Sequence, residues 1–401
     1  MPKKRTSIAP RDRARVLEES RQAKMAESAH RYVRGNTRQF YEWLESKSGK
    51  SMPQGPAVWI CGDCHVGNVG PLADLKGRVE IQIRDLDQTV IGNPAHDLVR
   101  LALSLATAAR GSDLPGITLV QMLEQMVEGY ERGLATPRQA QQVNGNDELA
   151  PIRSVLDQSK RRRWHHLATE RIKDVTPHIP LGERFWALTA IERREIATLF
   201  ENDAVVAKVR EAKGRDEKTR VTVVDAAYWM KGCSSLGRLR YAVLLELRKK
   251  RDRDYCLIDL KEAAPPAAPH ASRRREIDDA HRVVEGACSL SPNLGQRMMA
   301  VRLMKKPVVL RELMPQDLKF DLDRLTKEEA LAAAGYLAGV VAKAHGRQMD
   351  RQTRSAWRSE LRRQHSKTLA APSWLWISVV ALMAVHEAAY LEHCRRYASS
   401  A

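Results

Sequence analysis

The segment Gly62-Asp63-Cys64-His65-Val66-Gly67-Asn68, followed by Arg84-Asp85-Leu86-Asp87, decides how this chain is interpreted. Phosphoryl transfer depends mainly on positioning the nucleophile and on neutralising charge through Mg²⁺. Sites for this chemistry combine an Asp on the acceptor side with an Asn and a second Asp that bind the metal. Asp63, Asn68 and Asp85 are of these types and occur in this order. The two stretches therefore predict a catalytic loop joined to a metal-binding loop.

Short strands are predicted on both sides of this loop. Residues 57–60 are apolar, and residues 79–83 alternate between apolar and polar side chains. Gly and Pro residues between them provide turns, so we expect the two strands to lie side by side and to bring Asn68 and Asp85 to one cation. Mg²⁺ held in this way keeps several waters and takes phosphate oxygens as further ligands. The pattern thus predicts a nucleotide site.

Further motifs connect these residues to known families. Asn68 follows Asp63 by five residues, which is the spacing of kinase catalytic loops. Together with Gly92-Asn93-Pro94-Ala95-His96-Asp97-Leu98, the two loops resemble aminoglycoside-phosphotransferase-like and choline-kinase-like enzymes of the protein-kinase-like fold. A longer match, which adds Tyr32-x-Arg34-Gly35 and Asp97-Leu98-x-Arg100-Leu101, resembles the uncharacterised bacterial family called domain of unknown function 2252.

The resemblance implies a role for each site residue. Asp63 would be the catalytic Asp, Asn68 and Asp85 would bind Mg²⁺, and Asp97 would brace the loop from a following helix. We also expect Asp87 to assist the two metal ligands. His65 is grouped with the catalytic residues as a hydrogen bonder that orients the loop.

Two departures from the protein-kinase pattern point to a narrower branch of the resemblance. Asp87 replaces the Gly of the kinase Asp-Phe-Gly motif, and Cys61 replaces the catalytic-loop His. These departures favour enzymes that act on small molecules over protein kinases.

Candidates for the nucleotide-binding segment lie downstream of the catalytic loop. Gly232-Cys233-Ser234-Ser235-Leu236-Gly237 is a turn ahead of a predicted strand at residues 241–247, and a second strand ends at Lys261. The resemblance to kinases implies that Lys261 binds phosphate, together with Gly232, Ser234, Ser235 and Gly237. A helix predicted over residues 273–288 carries Glu276 and Glu285, either of which could pair with Lys261.

The order of these segments predicts a permuted fold. A strand at residues 307–313 and a helix at residues 331–345 resemble the elements that precede the catalytic loop in ordinary kinases, yet here they follow it. Because chain termini often lie close together at the surface, a break can be relocated without changing core contacts. We expect an α+β, two-lobed, protein-kinase-like fold in circularly permuted order, with a helix-rich larger lobe and a small antiparallel-sheet lobe.

The predicted domain boundaries follow from this order. Residues 1–25 form a basic arm, residues 26–212 the larger helical lobe, residues 213–322 the smaller nucleotide-covering lobe, and residues 323–401 helices that return to the larger lobe.

Each of these residues also has a simpler interpretation. Asp63 and Asn68 could be turn residues, because their side chains often bond to local backbone. The Gly232–Gly237 segment could be an ordinary Gly-Ser turn, Lys261 could be a solvated strand end, and Glu285 could face water. The combination of motifs favours the functional interpretation over the simpler one for the catalytic and metal loops.

The cysteines suggest a second kind of chemistry. Cys61-Gly62-Asp63-Cys64-His65 matches the pattern of c-type haem attachment and half of a zinc or redox site. The basic N-terminus has no apolar stretch typical of an export signal, and the other four cysteines are scattered singly. We therefore expect free thiols and a cytoplasmic protein.

Composition limits the remaining possibilities. The chain has 401 residues, 43% of them hydrophobic, and a net charge of +18. Basic runs at residues 160–163, 248–251 and 273–275 could attract polyanions, but no nucleic-acid-binding motif accompanies them. The apolar stretch at residues 374–390 contains His386 and Glu387, which favours a buried terminal helix over a membrane span.

The sequence as a whole predicts an ATP- and Mg²⁺-dependent phosphotransferase that acts on a hydroxyl of an unidentified acceptor. Nucleotidyl transfer of AMP from the same site is one alternative, and a catalytically inactive, kinase-like regulatory protein is another. A nucleic-acid-associated protein is a third. The acceptor cannot be identified from the sequence, because substrate pockets in such enzymes carry no portable motif.

Overall fold

The fold is of the mixed α+β type with small antiparallel sheets. The structure is a computed structural model, and it describes residues 8–46, 49, 52–111, 115–135, 150–171, 178–231, 238–269, 277–318, 326–363 and 372–397.

The helices of these segments are α1 (Pro10–Ala26), α2 (Ala29–Gly35), α3 (Thr37–Leu44), α4 (Pro94–Gly111), α5 (Gly116–Gly133), α6 (Ala150–Arg161), α7 (Trp164–Arg171), α8 (Ala190–Leu199), α9 (Asp203–Arg210), α10 (Asp279–Leu290), α11 (Pro292–Gly295), α12 (Lys327–Gly346), α13 (Arg351–Arg363) and α14 (Ser373–Tyr397). The strands are β1 (Val58–Ile60), β2 (Val69–Ala73), β3 (Val79–Ile83), β4 (Val90–Gly92), β5 (Phe185–Trp186), β6 (Arg220–Trp229), β7 (Arg240–Lys249), β8 (Asp252–Glu262), β9 (Met298–Leu303) and β10 (Lys306–Leu313).

Two small antiparallel sheets frame the predicted catalytic loop, but their pairing differs from the prediction. The strands at residues 57–60 and 79–83 do not lie side by side, since β1 pairs with β4 and β3 pairs with β2. The prediction overlooked β2, whose Gly70 and Pro71 read as turn residues. The β2–β3 hairpin still brings Asn68 next to the segment that follows β3, because Val69 lies opposite Ile83.

A larger antiparallel sheet has the strand order β5-β6-β7-β8-β10-β9. Its central strands are buried on both faces: Val243 and Leu245 of β7 face one apolar cluster, and Ala242 and Leu244 face another. Helices α8 and α9 cover the first face, and α7 lies against the second. The strand-bearing body therefore begins near Phe185 and extends beyond the predicted segment 213–322.

The remaining helices form a body with its own core. Helix α4 is at its centre, with Leu98, Leu101 and Leu105 fully buried, and α5 packs along α12. The small residues Gly129 and Gly335 let these two helices approach closely, because a Cβ at Gly129 would lie 2.0 Å from the Gly335 carbonyl oxygen. Helix α12 begins with a capping box formed by Thr326 and Glu329.

The N-terminal segment and the C-terminal helix pack on these two bodies. Leu17 of α1 joins the core beside the large sheet, so residues 10–25 of the predicted arm lie in a packed helix. Helix α14 is the one helix among the described residues that is long and apolar enough to cross a membrane. One of its faces is buried, through residues such as Leu375, Val379 and Leu382, and it packs against α4, α1 and α2.

Candidate active site

The predicted catalytic loop, residues 62–68, is held from below by Asp97 of α4. The buried Asp97 carboxylate accepts hydrogen bonds from the backbone amides of Cys61 (2.7 Å) and Gly62 (3.0 Å). Gly62 has a φ of +75°, and a Cβ there would lie 2.1 Å from the Gln88 carbonyl oxygen. This position therefore requires glycine, which turns the chain so that Asp63 enters the cleft.

A buried polar chain continues from Asp97 into the C-terminal helices. His345 Nε2 of α12 lies 3.0 Å from Asp97 Oδ2, and His345 Nδ1 lies 2.8 Å from the Tyr130 hydroxyl. The indole of Trp357 donates to the same hydroxyl at 3.2 Å. Because these groups are far apart in sequence, the chain of hydrogen bonds fixes the loop only when α5, α12 and α13 are packed.

Asp63 is a buried carboxylate paired with Arg100 of α4. Arg100 Nε donates to Asp63 Oδ1 at 2.9 Å, and its Nη2 donates to the Val33 carbonyl at 2.6 Å. Burial raises the pKa of Asp63, although the Arg100 guanidinium opposes the shift. Arg100 is therefore a positioning residue that fixes the carboxylate in one orientation.

Asn68 closes the catalytic loop against the metal-binding loop. Its side-chain Nδ2 donates to the backbone carbonyl of Asp63 at 2.9 Å, and its own carbonyl accepts from the Arg84 amide at 2.6 Å. The predicted proximity of Asn68 and the segment containing Asp85 is thus achieved through the β2–β3 hairpin.

His65 is buried beside Asp63. Its Nε2 lies 4.0 Å from Asp63 Oδ2, and its Nδ1 has no hydrogen-bond partner among the described residues. Burial, assisted by Arg34 and Arg100, lowers the pKa of His65 well below its ordinary value. The imidazole is therefore neutral at neutral pH.

Lys261 reaches the predicted metal-binding loop, residues 84–87, from the large sheet. Its ammonium contacts Asp87 directly and lies 3.8 Å from Asp85 Oδ2. Burial would raise the pKa of Asp85, but the charges of Lys261, Arg240 and Arg311 outweigh this effect and hold the pKa below its ordinary value. The Asp85 carboxylate is therefore ionised across the neutral range.

The predicted partner of Lys261 does not contact it in the structure. Glu285 is exposed on α10, and Lys261 contacts Asp87 and Asp85 instead. The same helix contributes Arg282, which donates to the backbone carbonyls of Asp87 (3.1 Å) and Ala264 (2.9 Å). Glu276 and the segment Gly232 to Gly237, with Gly232, Ser234, Ser235 and Gly237, lie outside the described residues.

One cleft of about 370 Å³ brings these loops together. Asp63, His65, Asn68, Asp85 and Asp87 all line it. The described part of its lining contains eight Lys or Arg residues and five Asp residues, so cations predominate. The basic residues are Lys24, Arg31, Arg34, Arg84, Lys231, Arg238, Arg240 and Arg311.

The two cysteines of the catalytic loop are buried thiols. Ligand atoms of Cys61, Cys64 and Asp97 lie within 4.8 Å of one another. Both oxygens of Asp97 already accept hydrogen bonds, and the hydrogen bond with Cys64, together with burial, raises the pKa of Cys61. The arrangement therefore suits a protonated pair of thiols better than a metal.

Comparison with known proteins identifies the family. The sequence profile of a family described as "Uncharacterized protein conserved in bacteria (DUF2252)" matches residues 13–396. The chain belongs to the DUF2252 family. No curated protein and no solved structure matches it.

Several residues of this DUF2252 site were not assigned a role from the sequence. Arg100 follows Asp97 by three residues on one helical face, which is the signal that could have predicted its position beside the loop. Arg240 and Asp259 form a buried ion pair on β7 and β8. Arg311 donates to the Arg84 carbonyl at 3.0 Å. The only sequence feature that could have indicated a role for these three sheet residues is that each is charged within an apolar strand.

Proposed function

We propose that this DUF2252 protein is an ATP- and Mg²⁺-dependent phosphotransferase of a circularly permuted, protein-kinase-like fold that acts on a hydroxyl group. One observation carries the proposal. Asp63 and Asn68 share a cleft with Asp85 and Asp87, and Lys261, 174 residues beyond Asp87, reaches the same carboxylates. A chain that brings these residue types together from distant segments matches the requirements of phosphoryl transfer.

The order of elements supports the permuted kinase-like fold. The strands that carry Lys261 follow the catalytic loop in sequence, and α12, which comes later still, supplies His345 to Asp97. A helix that contacts the base of the catalytic loop is the element that ordinary kinases place before that loop. The antiparallel sheet and helix α10 would then form the nucleotide-covering lobe.

Each residue of the site has a separate role in the proposed reaction. Asp63 orients the acceptor hydroxyl and accepts its proton as the acceptor oxygen bonds to the γ-phosphorus. The bond between that phosphorus and the β–γ bridging oxygen breaks, and ADP leaves. Lys261 contacts the nucleotide phosphates, and Arg100 keeps the Asp63 carboxylate aligned.

The donor set fits Mg²⁺. Asp85 and Asp87 offer carboxylate oxygens, and Asn68 uses its Nδ2 on the Asp63 carbonyl, which leaves its Oδ1 as the ligand atom. These residues would hold the ion, which would supply charge neutralisation to the phosphate oxygens. Lys261 lies against the same carboxylates and so is placed to contact phosphates bound beside them.

Calorimetric titration with a non-hydrolysable ATP analogue tests this proposal. Wild-type protein should bind the analogue with Mg²⁺ and much more weakly without it, and Asp85→Asn should remove the dependence on Mg²⁺. Asp203→Asn, an exposed Asp on α9, is the matched control and should bind like wild type. Binding that ignores both the metal and Asp85→Asn would refute the proposal.

The mass of the product distinguishes phosphoryl transfer from its alternatives. Phosphate and AMP differ in size, so intact mass of the modified acceptor separates kinase activity from nucleotidyl transfer. Nucleotide binding without any ATP consumption across a broad set of acceptors would favour the inactive, regulatory alternative.

A further inference from the structure

The cations that line the cleft come from two separate parts of the molecule. Arg240 and Arg311 line the cleft from the large sheet, on the strands β7 and β10 that flank β8. Lys24 and Arg34, by contrast, come from α1 and α2, two helices that pack against each other. The cleft is therefore lined by cations on two walls of separate origin.

Arg34 lies directly over the catalytic loop. A Cβ at Gly67 would lie 2.8 Å from Arg34 Nη2 and 3.3 Å from His65 Cε1. The guanidinium thus occupies the space beside Gly67. Gly67 lies in the loop between the proposed catalytic Asp63 and the proposed metal ligand Asn68. A group held by Arg34 would therefore lie beside Gly67 and His65.

The carboxylates of the cleft are engaged by cations from other elements. Asp63 pairs with Arg100, Asp85 and Asp87 with Lys261, Asp259 with Arg240, and Asp317 with Arg297 and Arg311. Lys24 makes no ion pair with any described residue, and its position in the last turn of α1 leaves it half-buried at the cleft. Lys24 therefore brings to this wall a positive charge that no described carboxylate of the cleft pairs with.

A buried nitrogen points to the same ligand chemistry. His65 is 4% exposed, lines the cleft, and has no partner for its Nδ1 among the described residues. Lys and Arg side chains beside an imidazole nitrogen form a set of donors suited to phosphate oxygens.

We propose that the acceptor carries a phosphate group of its own, which Lys24 and Arg34 hold beside the catalytic loop. The inference rests on the proposed phosphotransferase function and names its substrate class: a small phosphate monoester with a free hydroxyl. A cleft of about 370 Å³ is near the lower end of the range for small-molecule sites, so the acceptor is small. The acceptor phosphate stays intact, while its hydroxyl oxygen takes the γ-phosphoryl group of ATP and its hydroxyl proton passes to Asp63.

Inorganic phosphate is the probe for this second anion site. It is titrated by calorimetry into protein saturated with Mg²⁺ and the non-hydrolysable ATP analogue, using wild type, Lys24→Gln, Arg34→Gln and the control Arg15→Gln. Arg15 lies on the exposed face of α1 and pairs with Glu19, so it matches the change in charge outside the cleft. We expect wild type and Arg15→Gln to bind phosphate alike, and each cleft variant to bind it about tenfold more weakly.

The nucleotide affinity of the same variants separates this inference from the proposed function. It should stay within about twofold of wild type in Lys24→Gln and Arg34→Gln, which also confirms that the variants are folded. An equal loss of nucleotide and phosphate affinity would overturn the inference, because the cations would then serve ATP. If the wild type shows no Mg²⁺-dependent nucleotide binding, the proposed function fails, and phosphate titration of the nucleotide-free protein still decides whether Lys24 and Arg34 form an anion site.

Turnover supplies a second, independent comparison. ATP consumption is measured with a pool of phosphorylated metabolites and with the same pool after phosphatase treatment and removal of the enzyme. Consumption restricted to the untreated pool supports the inference, whereas equal consumption with both pools overturns it. Tighter binding of a 5′-phosphorylated RNA with a steep salt dependence, lost in Lys24→Gln, would also overturn it in favour of a polynucleotide ligand.

Discussion

The predicted catalytic and metal-binding loops and the large sheet form two walls of the cleft, and the two walls are built in different ways. Asp63, Asn68 and Asp85 lie on the short stretch between β1 and β4, where local hydrogen bonds and one hairpin determine their positions. The charged residues of the sheet depend on register instead. Arg240 lies opposite Lys261, and Arg311 lies opposite Asp259, so a single face collects charges from three strands.

This difference determines how substitutions affect each wall. Slipping a strand by one residue moves every side chain to the other face, so the charged ladder of the sheet depends on the whole body that holds its register. The catalytic loops depend on a few buried hydrogen bonds that converge on Asp97. We therefore expect substitutions at the loop to act as single severe defects and substitutions on the sheet to act as graded changes in binding.

The largest expected effect is that of Asp97→Ala. This change leaves two backbone amides and His345 without their buried acceptor. Removing one member of a buried polar pair lowers the free energy of unfolding by about 3–5 kcal/mol. Chemical denaturation monitored by circular dichroism measures this loss.

Asp157→Ala is the control for Asp97→Ala, because its ion pair with Lys160 is exposed. Exposed pairs contribute about 0–1 kcal/mol, so this variant should unfold close to wild type. Similar free energies of unfolding for the two variants would contradict the conclusion that Asp97 stabilises the loop.

The next largest effect concerns the helices that support Asp97. Gly129→Ala places a Cβ where the Gly335 carbonyl oxygen lies, so α5 and α12 must separate. Overpacking of this kind lowers the free energy of unfolding by about 1–3 kcal/mol. A shift in the denaturation midpoint would measure it.

Gly116→Ala tests whether the effect comes from packing and not from the loss of glycine itself. Gly116 begins the same helix, and a Cβ there would meet nothing within 4 Å. Alanine has the higher helix propensity, so this variant should be as stable as wild type or slightly more stable. Equal destabilisation at both positions would contradict the close approach of α5 and α12.

A smaller effect is expected on the sheet wall, from Lys261→Gln. We expect about tenfold weaker binding of the Mg²⁺–nucleotide analogue, or roughly 1.4 kcal/mol, because an ammonium that contacts phosphate is lost. Binding of Mg²⁺ alone should not weaken, since Asp85 and Asp87 remain. Calorimetry with each ligand separates these two effects.

Lys306→Gln is the matched control on the neighbouring strand β10, where Lys306 is exposed and pairs with Glu262. It should bind nucleotide like wild type. Weakening of equal size in both variants would mean that general surface charge, and not contact by Lys261, holds the nucleotide.

The two walls also differ in what the sequence could predict. Asp63 and Asn68 line one cleft, and the four residues between them leave little conformational freedom. The strand pairing was wrong, because β2 contains Gly70 and Pro71 and does not look like a strand. Pairing with β3, which the local sequence of β2 does not indicate, decided the result there.

The sheet residues and the contacts of α10 could not be predicted for the same physical reason. Lys261 was selected by resemblance, but its contact with Asp87 depends on how the sheet packs against the β2–β3 hairpin. Glu285 and Arg282 lie three residues apart on α10, and only the orientation of that helix decides that Arg282 enters the site. Sequence patterns give an element its apolar face but not its rotation relative to a distant loop.

The smallest expected effect is a displacement of the acidic limb of the pH–rate profile. Asp63 must be ionised to accept a proton, and burial raises its pKa, so activity should fall with decreasing pH earlier than it would for an ordinary carboxylate. His65 has a lowered pKa and could titrate in the same region, which makes wild-type data ambiguous. His65→Asn resolves this ambiguity because asparagine does not titrate. If Asp63 is the base, the midpoint of the acidic limb in kcat/KM stays in place in His65→Asn, even if the maximal rate falls. If the limb disappears in this variant, the titration belongs to His65. Asp63, although Asp97 and Arg100 hold its loop in position, would then not be the group that accepts the proton.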